Sequence, residues 1–294
     1  MKLKCGLLGK TLKHSYSPQI HRELGDYEYL LYERSPDQLE EFLLHGDWDG
    51  LNVTIPYKKT VLPFLSDLSD VARAVGSVNT LVRRPDGTIF GDNTDVYGFW
   101  FLLKKNVIDP AGKKALVLGS GGACASVRYV LEQMGARTVV ISRTGEDHYG
   151  NLDRHKDAFL IVNTTPVGMY PDNGHAPVDL RQFDRLEAVL DIIYNPARTA
   201  LMLDAEQRHI RTDNGLSMLV AQACQSSLDF RQKGKTQHCG VKAWEAQRST
   251  GATDKILQIY RQLARRCSSV LHLHCYIRYD GQSGNEYRDR CSTV

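Results

Sequence analysis

Long hydrophobic runs are missing from this sequence. No window approaches the roughly 18 apolar residues that a membrane span needs, so no membrane segment is expected. The opening Met1-Lys2-Leu3-Lys4-Cys5-Gly6 lacks a long apolar region and does not read as a signal peptide. A strong charge of one sign is also missing. The formal net charge is +3 and the pI about 8.4, too mild to suggest a nucleic-acid partner. Cysteine pairs are missing too: the seven cysteines include no Cys-x-x-Cys, and five of them lie after residue 223. An odd count without pairs argues against a disulfide framework and predicts reduced thiols in a cytoplasmic protein. No internal repeat is visible.

What is present is ordinary globular composition. Hydrophobic residues make up 42% and charged residues 24%, within the usual range. A length of 294 residues allows one large or two medium domains.

The most informative stretch is Lys114–Arg128. Ala115–Leu118 is a short apolar run that suits a strand buried on both faces. Gly119, Gly121 and Gly122 allow a tight turn and close approach of a ligand to the backbone. Val127, Val130, Leu131 and Met134 then recur at helical spacing, predicting a helix from Ala123 to Met134. Strand, glycine loop and helix in that order form a phosphate site, because a helix N-terminus offers unpaired N–H groups and a positive dipole end. Cys124 stands where the dinucleotide fingerprint has Gly or Ala. About 20 residues further on, an acid would bind the ribose hydroxyls of NAD. This sequence has Ser142-Arg143-Thr144 there, and a guanidinium suits a 2′-phosphate, so the pattern leans to NADP.

Around this stretch the chain alternates strands and helices. Strands are predicted at Lys4–Leu8, Tyr27–Tyr32, Gly50–Thr54, Arg137–Ser142, Phe159–Val162, Ala188–Ile193 and His209–Thr212. A hairpin is predicted from Asn79–Arg83 and Thr88–Phe90 around Pro85-Asp86-Gly87. Helices are predicted from Ser17 as N-cap, with Pro18 at the first helical position, to about Leu24. Others are predicted over Pro36–Leu44, Tyr57–Phe64, Asp70–Val75, Asp95–Lys105, Leu201–Gln207 and Gly215 to about Phe230. This pattern predicts an α/β protein. After Phe230 the character changes. Residues 231–250 have little periodicity, Ile256, Ile259, Tyr260 and Leu263 mark one amphipathic helix, and Gln282–Val294 reads as disordered. Gly234-Lys235-Thr236 is not a complete phosphate loop, and Cys267, His272, His274 and Cys275 match no zinc spacing, so no metal is expected.

Two polar clusters sit at predicted strand ends: Asn52, Thr54 and Lys58, and Asp92, Asn93, Thr94 and Asp95. Open α/β sheets place ligands there. A lysine and an aspartate facing one pocket can share a proton and polarise a carbonyl or hydroxyl. The same residues also suit a turn with an Asp N-cap and a surface lysine, and residue chemistry alone leaves the two readings even.

The motifs in sequence order tip the balance. They are Gly6-Leu7-Leu8-Gly9 with His14-Ser15-Tyr16-Ser17-Pro18, Asn52-Val53-Thr54-Ile55-Pro56-Tyr57-Lys58, Gly76-Ser77-Val78-Asn79-Thr80, Gly91-Asp92-Asn93-Thr94-Asp95, Gly119-Ser120-Gly121-Gly122-Ala123, Asn163-Thr164-Thr165-Pro166-Val167-Gly168-Met169 and Met218-Leu219-Val220-Ala221-Gln222-Ala223. Together they resemble the shikimate dehydrogenase family over residues 3 to about 228. The resemblance implies a two-domain α/β fold, with an N-terminal substrate domain and a Rossmann-like NADP-binding domain around a cleft. The implied limits are 1–97 for substrate, 98–214 for NADP and 215–265 for helices returning to the substrate domain; residues 266–294 lack periodicity and a recognisable core pattern and read as an atypical, disordered tail. It implies NADPH-dependent reduction of 3-dehydroshikimate to shikimate, by a cytoplasmic monomer or homodimer. Lys58 and Asp95 would be the catalytic pair, with Lys59 the weaker candidate. Ser15 and Ser17 would hold the substrate carboxylate, Thr54, Asn79 and Gln222 the ring hydroxyls, and Tyr194 would lie near the substrate. Gly119, Ser120, Gly121, Gly122, Ala123, Ser142, Arg143, Thr144, Thr164, Gly215 and Met218 would face NADP.

The sequence departs from the family pattern at Val96-Tyr97-Gly98, where Gly usually follows the aspartate, at Cys124 for Ala or Ser, and at His209 for Gly. Residues 231–250 do not match the family's closing helix, though Ile256–Arg265 can supply part of it. An NAD-dependent quinate/shikimate dehydrogenase is the neighbouring alternative, opposed by Arg143 and the paired serines. A noncatalytic NADP-binding regulator is another, opposed by the intact Lys58 and Asp95.

Overall fold

Alternating apolar strands and amphipathic helices build two sheets, each at the centre of its own lobe. The structure is a computed structural model that describes residues 2–12, 15–234 and 251–268.

The first sheet has six strands: β1 (Lys4–Gly9), β2 (Glu28–Glu33), β3 (Gly50–Val53), β4 (Asp67–Leu68), β5 (Thr80–Arg83) and β6 (Ile89–Asp92). Their order is β2-β1-β3-β5-β6-β4. β1 runs parallel to β2 and β3, whereas β5 is antiparallel to both β3 and β6. This arrangement sets the site. The C-terminal ends of β1, β3 and β6 and the N-terminal end of β5 all lie at one edge of the sheet. The helices of this lobe are α1 (Ser17–Leu24), α2 (Leu39–His45) and α3 (Asp70–Val75).

Helix α4 (Asp95–Lys105) leads into the second lobe. Its sheet is wholly parallel and contains β7 (Lys114–Leu118), β8 (Arg137–Ile141), β9 (Leu160–Asn163), β10 (Ala188–Asp191) and β11 (Arg211–Asn214), in the order β11-β10-β9-β7-β8. Successive side chains of a strand point to opposite faces, and both faces here are covered. Ala115, Val117, Leu160, Val162, Ala188 and Leu190 enter one core with α4 and with α5 (Gly122–Gln133). Leu116, Leu118, Ile161 and Val189 enter the other with α6 (Ala200–Gln207). Full burial of a side chain such as Leu116 contributes about 1.5–3 kcal/mol.

Helix α7 (Leu216–Gln232) returns to the first lobe and packs on α4 and α1. Gly98 makes the α4 crossing close: a Cβ there would stand 2.6 Å from the Met218 carbonyl oxygen. Helix α8 (Gly251–Ser268) then lies on α7, burying Ile256, Ile259 and Leu263 with Ile20, Leu24, Phe101 and Val220.

Several boundaries differ from expectation. Residues 57–64 form turns and a single 3-10 turn (Leu62–Phe64) instead of a helix. Pro63 has no N–H to continue an α-helix, and the Lys58 carbonyl that a helix would use accepts from Val78 N–H at 2.9 Å. Ser17 is the first residue of α1, not its cap, which is Tyr16. The strand expected over His209–Thr212 begins at Arg211. His209 has φ +57° and closes α6 in the left-handed conformation, with Ile210 N–H donating to the Ala205 carbonyl at 2.9 Å. That is the conformation glycine adopts at least cost, which explains the usual Gly at this position. The expected tail from 266 overlaps α8, which reaches Ser268. The disorder expected for Gln282–Val294, the Lys235-Thr236 pair, His14, and the expectations for His272, His274 and Cys275 lie outside the described residues. Cys5, Cys124 and Cys224 are free thiols.

Candidate active site

Four loops meet at the common edge of the first sheet. Residues 10–16 follow β1, and Ser15 Oγ accepts from Ser17 N–H at 3.2 Å as α1 begins. Thr54 follows β3 and leads through a turn to Lys58. Asn79 precedes β5. Asn93 and Thr94 link β6 to α4, whose first residue is Asp95.

The floor is a closed polar network. Lys58 Nζ meets Asp95 Oδ2 at 2.5 Å, with side-chain exposures of 17% and 9%. The other carboxylate oxygen accepts from Asn79 Nδ2 at 2.9 Å. Asn79 Oδ1 accepts from Thr94 N–H at 2.7 Å and from the Thr94 hydroxyl at 3.1 Å. Gln222, from α7, accepts from Asn79 Nδ2 at 3.3 Å and from Thr94 Oγ1 at 3.4 Å. One side chain of each pair therefore fixes the next, and the partly exposed Lys58 ammonium ends the chain. Among the expected substrate residues, the structure joins Asn79 directly to Asp95, and Gln222 to that pair through Asn79. Ser15 and Ser17 lie at the end of β1. Behind them is a buried aromatic cluster in which His21 stacks on Tyr29 with ring centres 3.9 Å apart, and Tyr29 donates to Asn52 Oδ1 at 2.8 Å. Burial pushes the His21 imidazole down to about 3, so it is neutral and structural. Tyr194 follows β10 and leans on Tyr16 with ring centres 5.3 Å apart, and burial raises its phenol.

The second lobe presents its own strand ends. β7 and β9 are neighbours from which the chain departs in opposite directions, the switch point where open sheets take ligands. Gly119, at φ +106°, turns the chain there, and Thr164 Oγ1 lies 3.0 Å from where its Cβ would be. Thr164 donates to the Leu118 carbonyl at 2.6 Å. Helix α5 begins at Gly122 with no side-chain cap and no acidic residue in its first turn. A Cβ on Gly121 would meet nothing within 4 Å. Uncapped N–H groups, a positive helix end and open space beside glycine fit a pyrophosphate.

Ser142 begins a turn closed by its N–H to the Asp147 carbonyl at 3.2 Å, which displays Arg143 and Thr144. Asp147 is drawn away to His155 Nε2 at 2.8 Å and Arg154 at 3.5 Å. Of the remaining expected cofactor residues, Gly215 sits against the Ile192 backbone and Met218 is buried against Gly98. The two edges face each other: a Cβ on Gly122 would lie 3.4 Å from Lys58 Cδ.

Sequence reasoning missed three contributors. Asp191, at the end of β10, accepts from Asn163 Nδ2 at 3.1 Å, Ile193 N–H at 3.1 Å and Thr199 Oγ1 at 2.8 Å, tying together the loops after β9 and β10. Burial raises its carboxyl to about 6. Ser126 and Tyr16 also had no signal of their own, because their partners lie far away in sequence.

An all-parallel dinucleotide sheet that presents its glycine loop to a lysine–aspartate pair across a cleft defines a dinucleotide-dependent oxidoreductase. Comparison with known proteins narrows the class. The family model described as the shikimate dehydrogenase substrate binding domain matches residues 7–81. A shikimate dehydrogenase (NADP(+)) of Clostridium perfringens is 36% identical over 239 residues, covering 74% of this chain and 88% of the relative. One from Shouchella clausii is 36% identical over 266 residues, covering 81% and 96%. Among solved structures, a chorismate mutase/shikimate 5-dehydrogenase fusion protein from Clostridium acetobutylicum superposes with a TM-score of 0.79 at 30% identity, covering 91% of this chain and 99% of that one. The Thermus thermophilus enzyme in complex with NADP(H) and shikimate gives 0.72 at 27% identity, covering 88% and 99%. The chain belongs to the shikimate dehydrogenase family.

Proposed function

We propose that this chain catalyses the reversible NADPH-dependent reduction of 3-dehydroshikimate to shikimate, a step toward chorismate and the aromatic amino acids. The observation that carries the reading is the Lys58–Asp95 contact of 2.5 Å, set directly against the start of the glycine-loop helix. NADPH supplies the hydride, and the protein supplies binding and the proton. The Lys58 ammonium hydrogen-bonds the substrate carbonyl and delivers the proton to the oxygen as it becomes a hydroxyl. Asp95 holds that ammonium in place, and Asn79 holds Asp95.

The remaining roles follow chemistry. Ser15 and Ser17 offer hydroxyl donors to the substrate carboxylate. Thr54, Asn79 and Gln222 offer groups that can donate and accept toward a polyol. Tyr194 flanks the ring. Gly119, Ser120, Gly121, Gly122 and Ala123 receive the pyrophosphate, with Thr164 beside them. Ser142, Arg143 and Thr144 receive the 2′-phosphate, and Gly215 and Met218 border the nicotinamide side.

Residues 1–97 then form the substrate domain, 98–214 the NADP domain and 215–265 the returning helices, in a cytoplasmic monomer or homodimer. Among the described residues no helix is long and apolar enough to cross a membrane. The test is the absorbance of reduced nicotinamide with shikimate or quinate, each with NADP or NAD. We expect shikimate with NADP to be the preferred pair. Preference for quinate with NAD would replace this reading with the neighbouring one.

A further inference from the structure

We propose that Asn93 and Ser126 are positioning residues that register the cofactor-binding helix against Asp95. This inference rests on the function proposed above and concerns how its two halves are aligned.

Ser126 lies in the second turn of α5 and is fully buried. A serine inside a helix usually turns its hydroxyl back to the carbonyl four residues earlier. Here that carbonyl, of Gly122, is 3.5 Å away, and the shorter bond, 3.1 Å, runs to Asn93 Oδ1 in the other lobe. Asn93 is 2% exposed. Its Nδ2 donates to the Ser77 carbonyl at 2.8 Å and lies 3.2 Å from Ser77 Oγ. Both ends of the carboxamide are therefore committed, one to each lobe.

Asn93 is two residues from Asp95 in a tight turn. Its neighbour Thr94 is fixed to Asn79 through both N–H and hydroxyl, and Asn79 is fixed to Asp95. A displacement of α5 relative to Asn93 would pass through this turn to the carboxylate. Apolar contacts of Val96 and Phe99 with Cys124, Val127 and Val130 hold the two helices together, but such contacts are nondirectional. A buried side-chain hydrogen bond is directional and selects one register. The register matters because α5 begins where the pyrophosphate binds, one methyl group from the Lys58 side chain. A misplacement of about 1 Å between reacting groups can cost about 10²-fold in rate.

Ser126→Ala removes the joint while leaving a small, helix-compatible residue. We expect kcat to fall by about tenfold, the loss of one well-placed hydrogen bond. Dissociation constants for NADPH, from its fluorescence, and for shikimate, from calorimetry, should change by less than about twofold. The primary deuterium isotope effect on turnover should rise as hydride transfer becomes limiting. Ser126→Thr, which keeps the hydroxyl, should restore turnover. In an Asn93→Ala background, Ser126→Ala should add no further loss, and this cycle stands even if the threonine's methyl is not accommodated. An active wild type whose Ser126→Ala variant keeps its kcat and isotope effect overturns the joint. So does a variant that loses NADPH affinity and turnover equally, because Ser126 would then merely shape the cofactor site. A wild type inactive on shikimate instead sinks the function on which the inference rests.

Discussion

The two edges of the cleft are built differently. On the first lobe the proposed chemistry rests on side chains that fix one another: Lys58, Asp95, Asn79, Thr94 and Gln222 form one hydrogen-bonded set. On the second lobe the glycine loop offers backbone N–H groups and empty space, and the side chains around it serve mainly to hold the backbone. Proton delivery needs a titratable group at one point, which only a side chain supplies. A diphosphate needs several donors converging from one helix end, which the main chain supplies best. The difference teaches where substitution is felt: by deletion of groups on one side, and by change of backbone or of its supports on the other.

The largest effect should come from the first lobe. Lys58→Ala should lower kcat by about 10²–10⁴-fold, the usual value of general acid–base catalysis, while shikimate and NADPH still bind. Asp95→Asn should also be severely impaired. The double variant should lose far less than the product of the single losses, because the pair acts as a unit. Steady-state kinetics on the four proteins tests this, and losses that multiply would separate the two residues.

Asp191 is next, a side chain of the second lobe that serves only its loops. Its folded carboxyl titrates at about 6 against an ordinary 3.8, because burial penalises the charge. The folded value is the higher one, so its contribution to stability is fully present below roughly pH 4 and is lost as pH rises through about 6. We expect the stability of wild type relative to Asp191→Asn to fall by up to about 3 kcal/mol between those limits. Denaturant titrations across pH measure it, and a difference that does not vary with pH contradicts it.

Arg143→Ala should weaken NADP use by about ten- to a hundredfold, the loss of a hydrogen bond to a charged group, and leave NAD use nearly unchanged. Equal losses would remove Arg143 from the 2′-phosphate and make the second lobe purely a backbone site. The smallest effect is expected at His209. Its φ of +57° is one a glycine adopts freely, so His209→Gly should raise stability by up to about 1 kcal/mol without touching kinetics. A lower melting temperature would show that the glycine's extra freedom in the unfolded chain outweighs the relief of strain.

Legibility in the sequence followed locality. The glycine loop was readable because strand, turn and helix are consecutive, and the structure moves α5 by only one residue at each end. The hairpin after Asn79 was readable for the same reason. The helix expected over residues 57–64 failed because a tertiary bond, Val78 N–H to the Lys58 carbonyl, took the acceptor that local spacing assigned to a helix. β4 was missed because two residues carry no period. Lys58 and Asp95 were legible as polar strand-end residues, but their contact depends on β3, β5 and β6 sharing an edge. Asn93 with Ser126, and Asp191 with Thr199, needed the fold, since nothing in a buried serine or a strand-end aspartate names its partner.

The hydrogen bond from Asn79 to Gln222 joins residues 143 positions apart. In a growing chain, Lys58, Asn79 and Asp95 are made long before the helix that completes them, and both sheets can be in place while the cleft floor still lacks Gln222. Closing a loop costs entropy that grows only slowly with its length, but that cost precedes any gain from the distant contact, which favours late closure. We expect catalytic activity to return after the helical signal when the denatured protein is refolded, and simultaneous recovery of the two contradicts this order.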